Sequence, residues 1–229
     1  MDYIDVQHLS FYYDDEPVLQ DITFQVHEGE FVILTGENGA AKSTLLKSIL
    51  GLLNPREGSA TISKVNYRGE KLTIGYAPQQ ISSFNIGFPS RVLEFVESGR
   101  YQKGRWFKKL GEEDHTHVKK ALESVGMWEM RNKKIGELSG GQKQRIGIAR
   151  ALYHRAQILI FDEATSALDY ETEEALTESI RSISHKEITI VIVAHRLQTL
   201  KYCDYIYKLK DGKLDTRAFN YEEIISERT

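Results

Sequence analysis

Two hydrophobic rhythms divide the chain. Asp2 to Val6 and Asp21 to Val26 alternate apolar and polar residues, the period-two pattern of antiparallel strands with one buried face. Glu30 to Leu34, Gln157 to Phe161 and Ile188 to Val193 are instead apolar runs, as in strands buried on both faces of a parallel sheet. Ala60 to Ser63, Leu72 to Tyr76 and Tyr205 to Leu209 add short strands, the last closing the sheet with the turn Lys210 to Lys213. Helical spacing predicts helices over Leu45 to Leu50, Ser90 to Arg100, His115 to Val125, Lys143 to Leu152, Glu171 to Ile183 and Tyr221 to Glu227. Phe11 to Val18 reads as a turn rich in aromatics. The fold expected is α/β: a parallel-sheet core, an antiparallel β region at the N-terminal end and a helical insertion over residues 80 to about 137.

Composition narrows the picture. A chain of 229 residues is long enough for one substantial α/β domain with a smaller subdomain. A net charge of -3 gives no basic footprint for nucleic acid. The one basic cluster, Arg100 to Lys109, is interleaved with Tyr101, Trp106 and Phe107. It reads as a solvated surface loop, with lipid headgroups or RNA as alternatives. Cys203 is the single cysteine, so an internal disulfide is excluded, and its context suggests a semi-buried thiol. No run approaches a membrane span. Any service to a membrane is expected to pass through a partner.

The candidate chemistry begins at Thr35-Gly36-Glu37-Asn38-Gly39-Ala40-Ala41-Lys42-Ser43-Thr44, between the strand Glu30 to Leu34 and the helix that follows. Strand, small-residue loop, Lys-Ser and helix form a P-loop. Small residues let successive N–H groups curl around an anion, and the helix adds its positive dipole end. Lys42 supplies charge to the β- and γ-phosphates, and the Ser43 hydroxyl can ligate Mg²⁺. Ala41 stands where the pattern has Gly; alanine tolerates positive φ poorly.

Further along, Ser139-Gly140-Gly141-Gln142 opens a helix and forms a second anion cradle. The run Gln157 to Phe161 ends in Asp162-Glu163, where a P-loop ATPase needs one carboxylate for Mg²⁺ and one for water. His195 follows the strand Ile188 to Val193, at the end where open α/β sheets bind ligands.

Leu138-Ser139-Gly140-Gly141-Gln142, lying between a P-loop and Ile158-Leu159-Ile160-Phe161-Asp162-Glu163, resembles the signature of the ABC ATPases. The resemblance covers about residues 2 to 215. It implies a single ABC ATPase domain over 1–229, with 1–79 and 153–229 forming the ATP-binding core and 80–152 a helical subdomain ending in the signature helix. It implies ATP and Mg²⁺ as ligands. It gives Tyr13, with Tyr12 as the alternative, the adenine-stacking role, and Gly36 to Thr44 (Asn38, Gly39, Ala40, Ala41, Lys42 and Ser43 among them) the phosphate loop.

The resemblance also assigns Gln79 to Mg²⁺ or the attacking water. Ser139, Gly140, Gly141 and Gln142 would meet the ATP of a second copy. Asp162 would hold Mg²⁺ through water, Glu163 would be the general base, Asp169 would lie at the dimer interface and His195 would contact the γ-phosphate. The implied partners are a second copy of the chain and transmembrane permease subunits, not nucleic acid. The implied location is the cytoplasmic face of the membrane, held there by the permease.

A finer resemblance divides the chain. Residues 1 to about 137 are similar to the ATPase of bacterial zinc and manganese uptake systems, through Glu37 to Lys42, Phe84 to Pro89 and Ser98 to Tyr101. Residues from about 139 resemble exporter or lipid-flippase ATPase domains. Asp162 to Asp169, with Ala164 where importers carry Pro, Val193 to Leu197 and Asp211 to Leu214 are the evidence. Together these imply a mosaic, such as an engineered chimera, joined near the signature; a natural importer subunit carrying these variants is the alternative. The expected function is ATP hydrolysis that drives transport, with zinc or another metal ion taken up. The alternatives are an ATP-binding module with little coupled turnover and an exporter or flippase ATPase. Soluble ABC ATPases of DNA repair or translation fit less well, since a coiled-coil insertion and a basic patch are lacking.

Overall fold

The computed structural model describes residues 1–78, 90–100, 111–153, 156–163, 174, 178, 188–194 and 203–219, with 100 and 216–219 described by backbone alone. The chain separates into two compact units, Met1–Leu72 with Arg181–Thr229, and Thr73–Ile180.

In the first unit, β1 (Asp2–Tyr13) and β2 (Glu16–His27) form a long antiparallel hairpin, and β4 (Glu57–Ile62) pairs with the other edge of β1. The alternation seen in the sequence is its cause: Ile4, Val6, Ile22 and Val26 are all buried. The turn expected over Phe11 to Val18 is much shorter, because the strands run to Tyr13 and resume at Glu16. Asp14, at φ +54°, makes the reversal, and a short polar side chain tolerates that conformation. A bulge at His8 (φ +49°) breaks the alternation, so that both Val6 and Leu9 face inward. Gly58 backs the bulge; a Cβ there would lie 2.2 Å from the His8 carbonyl oxygen.

The same unit holds β3 (Phe31–Gly36), β7 (Thr189–Val193), β8 (Tyr205–Lys210) and β9 (Lys213–Phe219). β3 lies parallel between β7 and β8, and β9 runs antiparallel to β8. Every described side chain of Val32 to Leu34 and Ile190 to Val193 is buried, as the unbroken apolar runs require. Strand β9 is an addition to the sequence expectation. Asp204 accepts the Phe31 amide at 2.8 Å and fixes the start of β3. Its neighbour Cys203 is half-buried, and burial pushes the thiol up to about 12, leaving it protonated and unreactive near neutral pH.

In the second unit, β5 (Ile74–Ala77) and β6 (Ile158–Asp162) pair in parallel. The helices α2 (Val92–Glu97), α3 (Glu112–Ser124) and α4 (Gly140–Tyr153) accompany them. Helix α2 is shorter than the spacing predicts, because a 3₁₀ turn over Ser98–Arg100 takes over. The Glu94 carboxylate accepts the Arg91 amide at 2.9 Å, and Asp114 accepts that of Gly111 at 3.1 Å, so both α2 and α3 start on acidic caps. Helix α4 packs on both, burying Ile146, Ile148 and Ala149. Of the expected helix over Glu171 to Ile183 only Glu174 and Glu178 are described, both as helix; the expected helix over Tyr221 to Glu227 and the basic cluster of residues 101–109 lie outside the described residues. Among the described residues no helix is long and apolar enough to cross a membrane.

Candidate nucleotide site

Strand β3 delivers the phosphate loop. Its last residue, Gly36, has φ +152°, and a Cβ there would sit 2.2 Å from the Leu209 carbonyl oxygen on β8. Only glycine lets the two strands stay paired while the chain turns out of the sheet. The loop then tightens: the Ala40 amide donates to the Glu37 carbonyl at 3.1 Å, and Gly39 has φ +84°.

Helix α1 (Lys42–Ile49) follows, and the Leu45 amide donates to the Ala41 carbonyl at 3.0 Å. Its first-turn amides and positive dipole end therefore converge on the loop. The Lys42 ammonium arches over it, donating to the Gly36 carbonyl at 3.1 Å and the Glu37 carbonyl at 2.8 Å. Lys42 is only 4 % exposed. These bonds hold a buried cation where a phosphate would meet it.

Ala41, at φ +65° and ψ +23°, occupies the left-handed region. For a residue with a Cβ this costs about 1–2 kcal/mol. Ala41→Gly is expected to stabilise the protein by at most about 1.6 kcal/mol, since glycine returns about 0.4–1 kcal/mol of the gain through a freer unfolded chain. Urea denaturation of the two proteins checks this; a loss of stability would show that the alanine methyl makes a contact worth more than the strain.

The two candidate aromatic rings differ in their surroundings. Tyr13 is 53 % exposed, with the Phe11 ring in a T-shaped arrangement beside it, 5.0 Å between centroids. The Tyr12 ring is instead covered by the Arg56 guanidinium at 5.0 Å.

In the second unit, β6 carries Asp162 to its end, buried at 2 % exposure. From the adjacent strand β5, Tyr76 donates its hydroxyl to that carboxylate; burial and the Asp162 charge push the phenol up to about 12. Glu163 follows in the left-handed conformation, φ +49°, and is only half-buried. Two adjacent carboxylates thus occupy different surroundings, one sealed and the other reaching toward solvent. Gln144, on α4, donates from Nε2 to the Glu163 carbonyl at 3.2 Å. Neither Tyr76 nor Gln144 was among the candidate residues. Gln144 had a signal: a polar residue one turn before Ile148, on the buried stripe of its helix.

Helix α4 opens on a reciprocal cap. The Gln142 amide donates to Ser139 Oγ at 3.3 Å, and the Ser139 amide donates to Gln142 Oε1 at 3.0 Å. Leu138 is buried beneath, whereas Ser139 and Gly140 are exposed, and a Cβ on Gly140 would meet nothing within 4 Å. Among the expected site residues, Gln79, Asp169 and His195 lie outside the described residues.

Comparison with known proteins decides the family. The family model described as ABC transporter matches residues 19–166. The chain belongs to the ABC transporter family. It is an ABC ATPase, which binds and hydrolyses ATP. It is 47% identical over 215 residues to ZnuC, the ATP-binding protein of the high-affinity zinc uptake system of Bacillus subtilis, covering 93% of each chain. It is 49% identical over 226 residues to AdcC, the zinc transport system ATP-binding protein of Streptococcus pneumoniae, covering 97% of each. Among solved structures, a dimeric ATP-binding cassette holding ADP and Pi after hydrolysis superposes with a TM-score of 0.77 at 28% identity, over 95% of this ABC ATPase and 98% of that chain.

The mosaic origin expected from the second half finds no support. A match over 97% of the chain must cross the supposed junction near residue 138. Packing agrees, since α4, from beyond that junction, is seated on α2 and α3, from before it.

Proposed function

We propose that this ABC ATPase drives uptake of a divalent metal ion, zinc, through a membrane permease, by closing on a second copy of itself around two ATP molecules. The observation that carries zinc is the 47% identity to the ATP-binding protein of a zinc uptake system and the 49% identity to that of a zinc transport system, along nearly the whole chain. Residues 1–79 and 153–229 are assigned to the ATP-binding core and 80–152 to the helical subdomain that meets the permease. The location that follows is the cytoplasmic face of the membrane.

The residue roles follow from the chemistry at each position. Tyr13 offers its exposed ring to adenine. The loop from Gly36 to Thr44, Asn38 and Ala40 included, wraps the phosphates with main-chain amides, and Lys42 neutralises them. Ser43 and Asp162 offer a hydroxyl and a carboxylate, hard oxygen donors of the kind Mg²⁺ takes. When bound, Mg²⁺ would neutralise charge on the phosphate oxygens. Glu163 accepts the proton of the attacking water, while Gln79 and His195 orient that water and the γ-phosphate. Ser139, Gly140, Gly141 and Gln142 close on the ATP of the second copy, and Asp169 supports that interface. Binding made only in the closed dimer shifts the population to closed, and loss of the γ-phosphate reopens it.

The test is zinc uptake in proteoliposomes holding the cognate permease and this subunit. Zinc accumulation is expected only with ATP on the side facing the subunit. Accumulation of another metal in preference to zinc, or export, would replace the reading.

A further inference from the structure

Gln144 joins two parts of the ATPase that act on different nucleotides. It lies on α4, one turn beyond Gly140, and is 6 % exposed. A buried side-chain amide requires partners, and its Nε2 finds one in the Glu163 carbonyl at 3.2 Å. Glu163 itself is in the left-handed region, at φ +49°. A residue with a Cβ persists there only when its surroundings over-determine it. The bond from Gln144 is such a constraint: it fixes the peptide that aims the Glu163 side chain.

At its other end the same helical turn carries Ser139 and Gly140, both exposed. From Gly140 to Gln144 the rise is only about 6 Å along one rigid turn. Loss of that bond would free Glu163 to leave the left-handed region, so a shift of α4 would re-aim its side chain.

We propose that Gln144 is a positioning residue that couples the two ATP sites of the dimer. This rests on the proposed roles of Glu163 as general base and of the α4 N-terminus as the contact to the ATP of the second copy. Each α4 then touches the nucleotide bound by the other copy, while the Glu163 it holds serves the nucleotide bound by its own. Seating the helix on one ATP sets the base at the other.

Gln144→Met keeps the side-chain length and removes the donor. Turnover is measured against ATP concentration in the parent, Gln144→Met and Glu163→Gln. ATP-driven dimerisation is measured in Glu163→Gln with and without Gln144→Met. The expected result is a fall in kcat of at least about tenfold and loss of the parent's positive cooperativity in ATP, with dimerisation changed less than about twofold. Gln144→Glu, isosteric and lacking the amide donor, is read in the same way where the methionine variant does not fold. Unchanged kcat and cooperativity would overturn the proposal, as would a parent without cooperativity. So would a loss of dimerisation as large as the loss of rate, the mark of a merely structural part. Parental turnover in Glu163→Gln would instead defeat the assignment of the base itself.

Discussion

Replacing Glu163 with glutamine is expected to lower steady-state ATP turnover by about 100-fold or more, the share that a positioned general base supplies. Glutamine has the same shape and no useful proton affinity. The hydrogen bond from Gln144 goes to the main-chain carbonyl, so the substitution leaves that anchor and the left-handed backbone in place. The buried Asp162 beside it is untouched. ATP should therefore still bind, and the closed dimer should accumulate because its exit by hydrolysis is blocked. Turnover assays alongside light scattering, with and without ATP, check both halves of the expectation. A variant that turns over ATP at the parental rate would move the base to another residue. A variant that neither hydrolyses nor binds ATP would mean the side chain is a structural part of the site.

Lys42→Met is the second large effect. The methionine keeps most of the buried stem and removes the cation. Two unit charges about 4 Å apart near a protein surface attract by roughly 4 kcal/mol, so losing one partner of the phosphates should weaken ATP binding by on the order of 100-fold or more. Stability should change far less. The ammonium that arches over the Gly36 and Glu37 carbonyls takes their bonds with it, but it also takes its own cost of burial. Isothermal titration with ATP and a denaturation curve separate the two quantities. An affinity within a few-fold of the parent would show that the amides of the loop and α1, rather than the charge, hold the nucleotide.

Which of these features could be read from the sequence has a physical pattern. The strand, loop and helix around Lys42 were legible because each part has its own local cause: an apolar run, small residues, and a helical start. The second buried strand and its terminal Asp162 were legible for the same reason. The hairpin tip was misjudged because Pro17 and three acidic residues look like a long turn, whereas the strands pair to within two residues of each other. Strand β9 was missed because Lys213 to Phe219 carries mixed polar residues, tolerable in a strand that owes its existence to pairing with β8. The positive φ of Glu163 and the reach of Gln144 to its carbonyl are tertiary facts. No spacing rule encodes a bond between residues on different elements, and no propensity asks a glutamate to be left-handed.

The cap at the start of α4 has a consequence for how the ABC ATPase can be built at all. Ser139 Oγ accepts the Gln142 amide through a lone pair. A hydroxyl spends that lone pair without spending its proton. The proton stays free to rotate toward an incoming oxygen anion, and an acceptor already engaged on one side makes a somewhat better donor on the other. If Ser139 meets the ATP of a second copy, as proposed, then holding the helix together and greeting that molecule would draw on opposite faces of one oxygen atom.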